Sequence, residues 1–183
     1  MKLRTTATLL ALVTSLSVPL AASAASPNAM TLLNGANQMN SEQQDAATML
    51  REKAGDNQAM ITMADTMTGD FKANQEAVKA LADSRKITLN AYKKDTAAND
   101  AMAKLNGARF NSAFFAKSVR DQKGAIEAFK TARRSFRNDH DMQLYIDQTL
   151  PILKANLAMT QNLQHHSAMG SSENPADNRT SMK

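Results

Sequence analysis

Cysteine is absent from the chain, and its absence excludes disulfides, thiolate metal ligands, a cysteine nucleophile and a lipidated N-terminal cysteine. Tryptophan is absent too, and two tyrosines and six phenylalanines make up all the aromatic side chains. With no recognition motif among them, nucleic acid is not an expected partner. Glycine (6) and proline (4) are sparse. No stretch alternates with period two, so neither a sheet nor the ten-residue strands of an outer-membrane barrel are expected. The apolar run from Ala7 to Leu20 falls short of the roughly 20 residues that a membrane-spanning helix needs. Nucleophilic catalysis has no support either, because no Gly-x-Ser-x-Gly and no phosphate-cradling glycine loop occurs. No catalytic residue, no cofactor and no enzymatic activity is expected.

What is present begins with an address. The first residues, MKLRTTATLLALVTSLSVPLAASAAS, open with Lys2 and Arg4, continue through the apolar run and close on Ala22-Ser23-Ala24, a small-x-small cleavage pattern. Residues 1–24 read as a signal peptide, with cleavage after Ala24 and a periplasmic destination; a buried N-terminal helix is the alternative. The formal charge is +5, of which Lys2 and Arg4 supply two, so residues 25–183 carry +3. That mild excess neither selects nor excludes acidic partners. About 160 mature residues suit one domain with a single core.

Alanine, methionine, leucine, glutamine and lysine dominate, which favours helices. Periodicity predicts a first helix over about Ala29–Ala54, with Leu32, Ala36, Met39, Gln43, Ala47 and Leu50 on one side. Ser41 and Gln44 could form a capping box and start a second helix there. Gly55-Asp56 reads as a stop followed by a new N-cap. The next helix spans about Asn57–Ser84, with Met60, Met63, Met67, Phe71, Asn74, Val78 and Leu81 aligned. A linker over 86–95 leads to a short helix, Thr96–Asn106, and a long one, Ala108–Phe136. Asp139 is the expected N-cap of the last helix, which reaches about His166 through Met142, Tyr145, Thr149, Ile152, Asn156, Met159 and Leu163. Pro151 should bend it. The domain spans 25–166, and the polar tail 167–183 is expected to be disordered. Four long helices with one extra short helix give an all-α, antiparallel four-helix bundle.

One residue breaks the pattern. Phe115, Val119, Gln122, Ile126 and Phe129 fall within about 80° of arc at 100° per residue, and a glutamine stands at the centre of this otherwise apolar stripe. Gln43, Phe71, Gln122 and Asn156 each lie on an inward stripe near the midpoint of a helix. Antiparallel neighbours bring midpoints to one level, so these four predict a mid-bundle layer. Its amides need partners, since an unpaired buried amide costs roughly 1–3 kcal/mol. Gln122 and Asn156 are expected to satisfy each other or a buried water, with Phe71 filling space.

The strings GARFNSAFFAKSVRDQKGAIEAF, TLPILKANL and MADTMTGDFKANQEAVKALA resemble the bacterial domain-of-unknown-function family 4142. The resemblance covers about Met30–Leu163 and implies an exported, ferritin-like bundle. It also implies Asp-His pairs in two helices and a His-Leu in the last. Here those positions read Asp70-Phe71, Asp121-Gln122 and Asn156-Leu157, so all three histidines are replaced. Ferritin-like di-metal sites need Glu-x-x-His on two helices, and none occurs. An oxidase or iron store is therefore not expected.

Two further clusters bear on function. Met60, Met63 and Met67 on one helical face, with His165, His166 and Met169, could hold a soft ion such as Cu(I). The same methionines serve equally as core gap-fillers, and the histidine pair as a favourable helix terminus. Lys117, Arg120, Lys123, Lys130, Arg134 and Arg137 form a basic helical side, which could face an acidic polymer, lipopolysaccharide or a partner protein, or simply solvent. The expected function is non-catalytic: binding, or association with an unidentified envelope component or protein. The alternative is periplasmic metal handling by Met60, Met63, Met67, His165 and His166.

Overall fold

The computed structural model describes residues 27–170, with side chains from 29 to 167. The expected leader, its expected cleavage site and residues 171–183 lie outside the described residues. Five helices and no strand are present among them: α1 (Pro27–Lys53), α2 (Gln58–Ser84), α3 (Thr96–Ala103), α4 (Gly107–Ser135) and α5 (His140–Gly170). None of the described helices is long and apolar enough to cross a membrane.

Local chemistry sets the ends. Pro27 opens α1, where its missing N–H costs nothing. Gly55, at φ +53°, makes the left-handed turn after α1. The cap of α2 is Asn57, whose side chain accepts from the Met60 N–H, and not the expected Asp56. Asp95 caps α3 by accepting from Ala98, and α3 stops at Ala103, before the expected Asn106. Asp139 caps α5, its Oδ1 accepting from the Met142 N–H at 3.2 Å. Two expectations fail. No new helix starts at Ser41: α1 is unbroken there, and the Ser41 hydroxyl donates back to the Asn37 carbonyl at 3.0 Å. The last helix also continues past His166 to Gly170, so residues 167–170 belong to α5 and not to a tail. Helix α5 is continuous across Pro151, which is exposed.

The helices pack as a bundle. Helix α1 lies on α2, α4 on α5, and α2 on α5, while α1 and α4 barely meet. Cross-helix bonds fix the pairwise directions. Asn37 meets Gln75 and Arg51 meets Asp65, so α1 and α2 are antiparallel. Gln122 meets Thr160 and Arg133 meets Asp147, so α4 and α5 are too. The core holds Leu33, Leu50, Met63, Met67, Phe71, Phe110, Phe115, Met142, Ile146 and Leu153, all fully buried. Each contributes on the order of 1.5–3 kcal/mol of burial.

The crossover over 85–95 runs along α1. Lys86 takes a left-handed φ of +55° just past α2, where Ile87 N–H donates to Ala82 O at 2.9 Å and Lys86 N–H to Asp83 O at 3.1 Å. That is the Schellman ending, with the buried Ile87 as its apolar plug. Further on, Asn37 donates to Asn90 O (2.8 Å), Asn90 N–H to Asn34 (2.6 Å) and Gln38 to Lys93 O (2.8 Å).

Candidate functional site

Because α1 and α4 do not close on each other, a groove of about 880 Å³ lies between them, reaching from Thr31 and Phe136 to Gln43 and Asp121. Twelve residue steps along α1, from Thr31 to Gln43, make it roughly 18 Å long. Its walls are small: Gly35 and Ala36 on one side, Gly124, Ala125, Ala128 and Ala132 on the other, with Leu32, Met39, Phe129 and Phe136 adding bulk. Leu32, Ala36, Met39 and Gln43, expected to face the core, all line this groove, and of the four Ala36 and Gln43 are buried. Leu32 and Met39 are only half-buried, while Leu33 and Asn40, one residue further round, turn into the core.

Beyond Gln43 a second, smaller cavity of about 110 Å³ sits beneath the crossover and α3. Glu42, Gln43 and Asp121 line both spaces, and Ser118, Tyr92 and Asp95 help to line the inner one. The Tyr92 phenol donates to Asp45 at 2.9 Å. Burial first, then the hydrogen bond and charge of Asp45, push its ionisation above the ordinary range, so the phenol stays protonated.

Gln43 stands at the junction with only 6% of its surface exposed. Its buried Oε1 has no partner, and no hydrogen bond reaches either end of its amide among the described residues. Four other buried polar atoms also lack partners: Asn40 Oδ1, Gln75 Oε1, Asn156 Oδ1 and Arg85 Nε. In each of those residues another side-chain atom is bonded. Gln43 differs because its whole amide is idle beside a cavity, an arrangement costing roughly 1–3 kcal/mol unless something supplies a donor. The charges that line the groove are one-sided. Glu42, Asp121 and Glu127 line the groove, and no lysine, arginine or histidine does. Lys117, which lines the inner cavity, pairs with Asp121 (2.5 Å), and Lys130 pairs with Glu127 (2.7 Å) from outside the groove; Glu42 accepts only from the neutral Gln38.

The other expected layer residues line neither space. Phe71, Gln122 and Asn156 are fully buried. Gln122 and Asn156, expected to satisfy each other or a buried water, do not bond each other; Thr160 stands between them. Its Oγ1 lies 3.3 Å from Gln122 Nε2 and donates to the Asn156 carbonyl at 2.8 Å. Asn156 Nδ2 donates to Asp70 Oδ2 at 2.8 Å. One level away, Asn74 joins three helices. It accepts from Asn40 (2.9 Å) and Tyr145 (3.0 Å) and donates to Thr149 (2.8 Å). Asn40 and Thr160 escaped the sequence reading, although Thr160 follows Asn156 by one helical turn and Asn40 stands seven residues after Leu33.

Met60, Met63 and Met67 are buried in the core cluster. His165 and His166 are exposed, and His166 Nδ1 lies 2.7 Å from the Asn162 carbonyl. No three of His, Asp and Glu gather as a metal-ligand set among the described residues. On α4, the basic side is laced with acids: Lys117 and Arg120 meet Asp121, and Lys130 meets Glu127.

No curated protein and no solved structure is matched by the chain. One family is matched. Its model covers residues 15–163, including every helix that frames the groove. The chain therefore belongs to the family described as a domain of unknown function, DUF4142.

Proposed function

We propose that this is an exported, non-catalytic binding protein of the cell envelope whose ligand site is the groove between α1 and α4. The observation that carries the reading is Gln43: a buried amide without a partner, set in the wall of an apolar groove. A volume of about 880 Å³ falls within the roughly 300–1,000 Å³ typical of small-molecule sites, which combine apolar walls with a few polar groups. The signal-like leader supports export. The arrangement of α1–α2 and α4–α5, joined by one long crossover, supports a ferritin-like bundle. Ferritin-like carboxylate chemistry has no ligand set to support it here, whereas binding needs only the groove.

The neutral dye N-phenyl-1-naphthylamine tests the site. Protein recovered from the periplasm, with its N-terminus at or near Ala25, should enhance dye fluorescence saturably at one dye per chain. Ala128→Phe places a ring in the groove from an exposed position and should weaken the dye about tenfold, as losing one good apolar contact area does. Dye enhancement that never saturates, or that Ala128→Phe leaves unchanged, would refute the site.

A further inference from the structure

The tetrapeptide Leu-Asn-Gly-Ala occurs twice, at 33–36 inside α1 and at 105–108 between α3 and α4. We infer that the second copy is a site of self-modification: the Asn106 amide hydrolyses to a carboxylate through attack by the Gly107 backbone nitrogen. Glycine after asparagine favours that reaction, because no side chain shields the attacking nitrogen. Asn106 is exposed and extended, at φ −141° and ψ 160°. Gly107 opens α4 at φ +53°, and a Cβ there would meet nothing within 4 Å. Its N–H is one of the orphan donors of a helix start, and no hydrogen bond takes it among the described residues. The Asn106 side chain caps nothing; its Oδ1 accepts from Lys53 Nζ at 2.8 Å.

The Gly107 nitrogen loses its proton and bonds to Asn106 Cγ. The Cγ–Nδ2 bond breaks, and Nδ2 takes up a proton and leaves as ammonia. Water then opens the succinimide at either carbonyl, leaving an aspartyl or an isoaspartyl residue, so that amide plus water becomes carboxylic acid plus ammonia. Negative charge gathers on Oδ1 as the nitrogen attacks, and the Lys53 ammonium already stands against that oxygen. The aspartyl product also meets a prepared site. Its carboxylate faces Lys53, which is held by Ala103 O at 2.6 Å, and lies at the positive N-terminal end of α4. Asn34 has none of this. The Gly35 N–H belongs to the hydrogen-bond ladder of α1. The Asn34 amide is held at both ends, donating to Met30 O at 3.0 Å and accepting from Asn90 N–H at 2.6 Å.

Incubation of the purified protein in mildly alkaline buffer, followed by trypsin and mass spectrometry, tests the assignment. Cleavage after Lys104 and Arg109 releases residues 105–109, which carry Asn106-Gly107 alone. Acid and isoaspartyl forms should accumulate there at least about tenfold faster than at Asn34, which reacts only when α1 opens. In urea the advantage should vanish, because the two tetrapeptides are identical. Equal rates in the folded protein, or an Asn106 that reacts only after unfolding, overturn the site. Lys53→Met should slow the folded-state reaction at Asn106 several-fold; an unchanged or faster rate overturns the role of the ammonium, while the site stands. Asn106→Asp supplies the aspartyl product directly and should melt no lower than wild type. A lower melting temperature overturns the fit of that product to Lys53 and α4.

Discussion

Two seams of this bundle bury amides and treat them in opposite ways. Along the α2–α5 seam every amide has work within the fold. Asn74 gathers Asn40, Tyr145 and Thr149, Asp70 holds Asn156, and Arg85 clamps Asp139 at 2.8 and 2.5 Å. Along the α1–α4 seam, small side chains leave a gap, and Gln43 faces it with nothing to bond. A polar group whose partners are all internal fixes helix register and tolerates no change. One that finds no partner within the fold weakens it, at a cost of roughly 1–3 kcal/mol. On the proposed function, the difference separates architecture from binding in a chain where both are written with the same residue types.

Removing one amide from each seam should therefore give opposite signs. Asn74→Leu strands the Tyr145 hydroxyl and the Asn40 amide in the core, and should cost about 3 kcal/mol by urea denaturation. A loss below about 1 kcal/mol would mean that the network does not hold the seam. Asp139→Asn comes next. Asparagine caps a helix as well as aspartate does, so the variant isolates the ion pair with Arg85, at about 2 kcal/mol at pH 7. The hydrogen bond from Arg85 holds the Asp139 carboxyl below its ordinary ionisation range. Its contribution is thus complete above the unfolded value of about 3.9 and is lost as pH falls below that through the folded pKa. Wild type and variant should converge in acid; a constant gap down to pH 2 would contradict the pairing. The smallest effect is Gln43→Leu, which should stabilise the unliganded protein by about 1 kcal/mol, because it replaces an unpaired buried amide by an apolar group of similar size. Destabilisation there would show that Gln43 has a partner within the fold, and the contrast between the seams would collapse.

Much of the architecture was legible because turn chemistry is local. Gly55, Asp95 and Asp139 mark their boundaries by residue type alone, and the Phe115–Phe129 stripe with Gln122 at its centre is buried except for the half-buried Val119. The faces of α1 and α5 were harder. The sequence favours Leu32–Met39 and Ile152–Met159, which are only half-buried, whereas the fold buries Leu33–Asn40 and Leu153–Thr160. Asparagine and threonine read as surface residues until their partners are known, and those partners stand 34 and 38 positions away. The groove itself was illegible. A run of alanines and glycines reads equally as a tight helix contact, and only the distance that α2 and α5 impose between α1 and α4 turns it into a space. For Gln43, its inward place was readable and its lack of a partner was not.

The crossover carries a consequence for the order of assembly. Its backbone at Asn90 and Lys93 is held by Asn34, Asn37 and Gln38, residues 53 to 56 positions earlier. In an open chain, closing so long a loop for a handful of polar bonds is entropically costly. Once α1 and α2 have paired, the end of α2 lies beside the start of α1, and the same bonds close a loop of only a few residues. The crossover is thus laid down after the first hairpin. Since it roofs the inner cavity beside Gln43, the recess is completed only on a hairpin that already exists. Formation of the recess is a late event in folding, and it reports that the first half of the chain has reached its native register.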